Sequence, residues 1–152
     1  MEEIDWFELL KWLLGVSAVV LSLWYTIRHF KIVRTIAYIE RFNSPLILET
    51  RSKVEKWSRL PEEEKRKELE ENETLYYQVN LVYNIMTEIA VSYRYRIINR
   101  KLTCELFDPI IPRWYEKIEP FISFNNERGV PHGYDLEVIM KAISKHGRKR
   151  IK

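Results

Sequence analysis

The sequence predicts an all-α protein, with one N-terminal transmembrane helix continuing into a cytosolic helical bundle of about five helices. Three observations carry that prediction. The run from Trp12 to Ile27 holds no charged residue. Apolar residues recur at helical spacing from Leu75 to Ile98. No stretch alternates apolar and polar residues at strand spacing.

The uncharged run of about sixteen residues gives roughly 24 Å of helix, short of the roughly 30 Å hydrocarbon core. Leu9 and Leu10 extend it, and Lys11 can snorkel its ammonium to the interface. Trp6, Phe7 and Trp12 bracket one end, with Trp24 and Tyr25 at the other, where amphipathic rings prefer the headgroup level. Two other readings compete. A cleaved signal peptide starts basic, whereas Glu2, Glu3, Asp5 and Glu8 make this start acidic. A buried core helix needs partners on every side, and a chain of 152 residues has few helices to spare.

Arg28, Lys31 and Arg34 follow the run at once, and only Lys11 precedes it. The positive-inside rule therefore puts the N-terminus outside and the rest in the cytoplasm. The division expected is an acidic leader over 1–11, the span over 12–27, a cytosolic helical domain over 28–147 and a basic tail over 148–152. Along the span, Lys11, Gly15, Ala18, Ser22 and Thr26 fall at intervals of three or four. Small and hydroxylated residues on one stripe let helices approach closely in lipid, which points to a homo-oligomer. Small residues are also common in any span.

Net charge +3 is mild, and bases beside a membrane suit anionic lipid. The single cysteine, Cys104, excludes an intramolecular disulfide and a cysteine-based zinc site.

No breaker separates Ile27 from Phe42, so the span is expected to run on as one rod to about Asn43, with Ile32, Ile36 and Ile39 on its apolar face. Ser44-Pro45 starts a second helix that Pro61 ends. The stretch from Glu62 to Glu71 reads as a charged, solvated helical connector outside the core. A long amphipathic helix follows to Ile98. Thr103 caps a short helix, Pro109 interrupts it, and a further helix runs to about Phe121. Residues 123–133, with Asn125, Asn126, Gly129, Pro131 and Gly133, read as a loop. Asp135 caps a last helix to about His146, and the basic tail is expected to fray.

Catalytic signatures are lacking. His29, His132 and His146 form no metal box, and the four glycines form no phosphate cradle. No cofactor is expected. Cys104 reads as a packing residue, and Glu105/Asp108 and Glu116/Glu119 as solvated pairs. Arg128-Gly-Val-Pro-His132 is one residue short of the Arg-x4-6-His motif of metal-free helical ribonucleases. The segment Tyr93-Arg94-Tyr95-Arg96-Ile-Ile-Asn-Arg100-Lys101 interleaves aromatics with bases. Such a patch can hold RNA or a nucleotide through phosphate contacts and stacking. It can equally be a helix C-terminus whose arginines complement the dipole, or a surface for anionic lipid or another subunit.

The boundary Ile39-Glu-Arg-Phe-Asn-Ser-Pro45, with Leu102-Thr-Cys-Glu-Leu-Phe107 and Ile111-Pro-Arg-Trp-Tyr-Glu-Lys-Ile118, resembles a family of uncharacterised small prokaryotic membrane proteins over about residues 12 to 122. That family has no assigned catalytic residues to carry over. The plan of a span feeding a helical domain is also similar to membrane accessory proteins of some RNA-targeting CRISPR systems, which assemble into ring-shaped pores. The resemblance implies a prokaryotic inner membrane, a defence-system partner protein and a pore-type role. The leading expectation is a non-enzymatic, self-associating anchor protein in antiviral defence. A tethered RNA- or nucleotide-binding module and a divergent ribonuclease are the alternatives.

Overall fold

The computed structural model describes residues 6–130 and 133–150, the last four of these as backbone only. Seven helices account for them: α1 Trp6–Phe42, α2 Pro45–Ser58, α3 Glu62–Glu71, α4 Glu73–Arg94, α5 Arg100–Phe107, α6 Ile110–Glu127 and α7 Tyr134–Arg150. No strand occurs among the described residues. The all-α expectation therefore holds, with six helices after the rod rather than about five.

The rod α1 is unbroken over 37 residues, about 55 Å at 1.5 Å per residue. It starts at Trp6, within the segment expected as leader, and its helical assignment continues through Ile27 without interruption. Residues 6–30 are all exposed. It is the one described helix long and apolar enough to cross a membrane, and none of its apolar stretch is buried within the chain. A core helix of a soluble bundle would be covered, so that competing reading is set aside.

Below the apolar run, α1 joins the bundle through Thr35 and Phe42, both fully buried. Here the face differs from the expected one. Ile36 is exposed and Ile39 only partly buried, while the polar Thr35 goes inside. Its hydroxyl donates to the Lys31 carbonyl at 2.7 Å and accepts from the Asn99 amide at 3.0 Å, so burial leaves no polar group unsatisfied.

The centre of the bundle is α4, whose Val79, Val82, Ile85, Met86 and Ile89 are fully buried. Each such aliphatic side chain contributes about 1.5–3 kcal/mol on leaving water. Around it lie Val54 and Trp57 of α2, Phe107 of α5, Ile111, Ile118 and Phe121 of α6, and Leu136, Ile139 and Ile143 of α7. The connector α3 also enters this core, contrary to expectation. Leu69 is buried, and the Trp57 indole donates to the Lys65 carbonyl at 3.1 Å. One leucine at the right turn suffices to dock an otherwise solvated helix.

Four boundaries move. α4 ends at Arg94, four residues before Ile98. Asn99, not Thr103, caps α5, its side-chain oxygen accepting from the Leu102 amide at 3.0 Å. α6 continues six residues past Phe121. Asn125 is buried there, donating to the Phe121 carbonyl and accepting from the Tyr76 hydroxyl at 2.9 Å. A distant tyrosine thus makes a helical residue of one that usually favours turns. Finally, α7 begins at Tyr134 and its backbone is helical through Arg150, four residues past His146.

Candidate functional site

Three features carry the candidate chemistry: the stripe on α1, the joint that fixes α1 to the bundle, and the basic segment after α4. Lys11, Gly15, Ala18, Ser22 and Thr26 all lie exposed on the unbroken helix. Thr26 donates back to the Ser22 carbonyl at 2.9 Å, so its hydroxyl needs no external partner in an apolar medium. Lys11 pairs with Glu8 at 2.6 Å and stands 4.4 Å from the Phe7 ring centroid. Open space surrounds Gly15, within a shallow groove lined by Lys11, Trp12, Val16 and Val19. At 3.6 residues per turn, Thr35, Tyr38 and Phe42 lie on the order of 170° around the axis from the midline of the stripe. The bundle therefore hangs from the side of the rod opposite the stripe.

The joint is built from long-range polar contacts. Arg41 pairs with Glu88 at 2.6 Å, the Tyr38 and Ser92 hydroxyls meet at 2.9 Å, and Thr35 accepts from Asn99. As numbers fall along α1 they rise along α4, so α4 runs antiparallel to α1 and points toward the apolar run. α5 runs back the other way, from Asn99 beside Thr35 to Phe107 against Phe42. At the elbow between α1 and α2, the Arg51 guanidinium lies 4.2 Å from the Phe42 ring centroid and 4.9 Å from that of Trp114. It donates to the Phe42 carbonyl at 3.1 Å, one of the orphan acceptors at the end of the rod. Burial lowers its pKa, with Arg113 acting in the same direction and Glu55 opposing.

The aromatic-basic segment is split by the fold. Tyr93 is buried, and Arg94 pairs with Asp135 at 2.9 Å while lying 5.1 Å from the Tyr134 ring centroid. Arg100 stacks on the Tyr93 ring at 4.6 Å. Tyr95, Arg96, Arg100 and Lys101 are exposed. Of the six sequence candidates, Tyr93 is thus closed to ligand stacking and Arg94 is engaged within the chain.

The helix ends show a telling contrast. α6 ends with Gly129 at φ +77°, the Val130 amide donating to the Asn125 carbonyl and the Gly129 amide to Asn126. This is the Schellman arrangement, with glycine where the left-handed conformation is needed. α4 ends identically, the Ile97 amide donating to Ser92 and the Arg96 amide to Tyr93. There the left-handed position, φ +58°, holds Arg96. An arginine where glycine is favoured is a strained choice, and such strain gathers at functional positions.

The other candidates are placed plainly. Cys104 is buried, its thiol 3.8 Å from the Tyr93 hydroxyl, and burial pushes its pKa up. That is a packing environment rather than an activated one. Arg128 lies 5.1 Å from the Phe124 ring centroid, and His132 lies outside the described residues. Among the described residues, no group of three His, Cys, Asp or Glu could hold a metal ion. Sequence reasoning missed one cluster: Glu55 receives Lys117, Arg113 at 3.1 Å and Arg59 at 3.4 Å. The hydrogen bond from Lys117 is the largest cause that holds the Glu55 carboxyl down at about 2.

A family model described as a domain of unknown function, DUF4760, matches residues 12–135. The chain belongs to the DUF4760 family. The match takes in the apolar run, the joint and the bundle as far as the first turn of α7, so the rod is part of the DUF4760 domain rather than an appendage to it. No curated protein and no solved structure matches this DUF4760 chain.

Proposed function

We propose that this protein is a non-enzymatic, single-pass membrane protein that self-associates through the Lys11, Gly15, Ala18, Ser22 and Thr26 stripe. Its N-terminus lies outside and its helical bundle in the cytoplasm of a prokaryote. The observation that carries the reading is the opposition of the two faces of α1. The bundle occupies one side through Thr35 and Phe42, and the stripe occupies the other. Copies packed stripe to stripe would carry their bundles on the outer sides of the paired rods. Close approach of small residues is what drives helix association in lipid. The acidic start, with Glu2, Glu3, Asp5 and Glu8 where a cleaved signal would be basic, favours a retained anchor over a removed signal.

An oligomer of this kind would be a pore-type accessory or effector in antiviral defence. Native mass spectrometry and particle imaging of the detergent-solubilised full chain test the reading. A defined oligomer that Gly15→Ile with Ala18→Ile reduces to monomers supports it, and a central opening in the particle supports the pore. A wild-type chain that runs as a strict monomer removes self-association.

A further inference from the structure

The fold brings two basic segments side by side on the rod just beyond the end of the apolar run. Residues 28–39 carry Arg28, Lys31 and Arg34, and residues 95–104 carry Arg96, Arg100 and Lys101; neither segment contains an Asp or Glu. The Thr35–Asn99 hydrogen bond fixes them side by side. From Ile27 to Thr35 is eight residues, about 12 Å along the axis. An extended arginine covers much of that distance, and the remainder lies within the roughly 10 Å Debye length at 0.1 M salt. On the rod itself, Arg28 lies 5.2 Å from the Trp24 ring centroid and Arg34 5.6 Å from that of Phe30, pairings suited to the headgroup level. Tyr95 is well exposed, and Ile97 stands at the edge of exposure.

We infer that the segment from Tyr95 to Lys101, the α4–α5 loop and the start of α5, docks on the headgroups of anionic lipids in the leaflet where α1 leaves the membrane. The inference rests on the membrane-spanning reading of α1. Arg96, Arg100 and Lys101 contact lipid phosphates, Tyr95 and Ile97 sit at the boundary, and the contact fixes the bundle's tilt about the joint at Thr35. Arg94 takes no part, being held by Asp135. The left-handed Arg96 fits this role, since glycine at that position would cap α4 with less strain but supply no charge.

The test uses the full chain in nanodiscs, with an environment-sensitive fluorophore on Ile97→Cys in a Cys104→Ser background. Discs contain phosphatidylcholine alone or with three-tenths phosphatidylglycerol, each doped with headgroup spin-labelled lipid. The expected result is quenching of the label in anionic discs only, lost in 0.5 M salt. Reversing Arg96, Arg100 and Lys101 to Glu should abolish it, each base removed weakening the docked state roughly fivefold. Equal quenching in both discs overturns the docking. A second label at Val19→Cys reports the span: if acyl-chain spin labels quench it while Ile97 is unaffected by lipid charge, docking alone fails. If the Val19 label is not quenched, the span fails and docking with it. Slower hydrogen exchange of residues 95–101 in anionic discs checks the same point on the unsubstituted chain. A labelled single-stranded RNA that binds the wild type and not the triple variant, without lipid-dependent quenching, assigns the patch to RNA and overturns the proposal.

Discussion

Arg51 closes the end of the rod by holding Phe42 twice, its guanidinium 4.2 Å from the ring centroid and 3.1 Å from the carbonyl oxygen. Arg51→Met keeps the stem but loses both the charge-assisted hydrogen bond and the cation–π contact. The full chain in detergent should lose about 2 kcal/mol of stability, read from chemical unfolding followed by near-UV circular dichroism. Arg51→Lys should recover little, because an ammonium cannot lie flat between Phe42 and Trp114 while donating to a carbonyl.

Replacing Arg96 by glycine should raise stability by about 1 kcal/mol, since the left-handed position at φ +58° then costs nothing sterically. The same variant should weaken anionic-lipid docking. A thermal melt and the lipid-quenching measurement, made on one preparation, read the two effects in opposite directions.

Glu55 gives a pH dependence whose sign is fixed by its pKa, lowered from 4.5 to about 2 chiefly by the hydrogen bond from Lys117. The folded state binds the proton less readily than the unfolded one, so the contribution is complete above the unfolded value. It fades as pH falls from about 4.5 toward 2. Glu55→Gln should flatten that part of the stability profile and lower stability at neutral pH, measured by unfolding across pH 3 to 7.

The two left-handed glycines should respond unequally to alanine. At Gly129, φ +77°, an added Cβ meets nothing within 4 Å, and backbone strain of about 1 kcal/mol is the whole cost. At Gly133, φ +99°, it would stand 3.2 Å from the Ile122 Cγ2, and the Gly133 amide bonds the Tyr83 hydroxyl at 3.2 Å. Gly133→Ala should therefore melt lower than Gly129→Ala, which differential scanning calorimetry can rank.

Much of the architecture was legible because helical periodicity and breakers act locally. Pro45 at the start of α2 and the apolar positions of α4 needed no partner to be read. Most of the errors trace to a side-chain partner that periodicity does not reveal, in several cases far along the chain. Thr35 is buried because the Asn99 amide, 64 residues away, needs an acceptor. Asn125 is helical because Tyr76 reaches its side chain, and α3 joins the core because Trp57 reaches the Lys65 carbonyl. The basic-aromatic segment was visible as composition, but its division was not: Asp135, 41 residues on, engages Arg94, and the core takes Tyr93.

The sequence by itself determined that a long apolar helix leads an all-helical chain, and that small residues form a stripe along it. Both follow from hydropathy and the 3.6-residue turn. Only the tertiary structure decided that the bundle hangs opposite the stripe, and that the segment carrying Arg96, Arg100 and Lys101 returns to the rod beside Thr35. The reason is geometric: local pattern defines the faces of each helix, whereas which face meets which depends on contacts such as Thr35 with Asn99 and Phe42 with Arg51. Those contacts form only when the whole chain is packed.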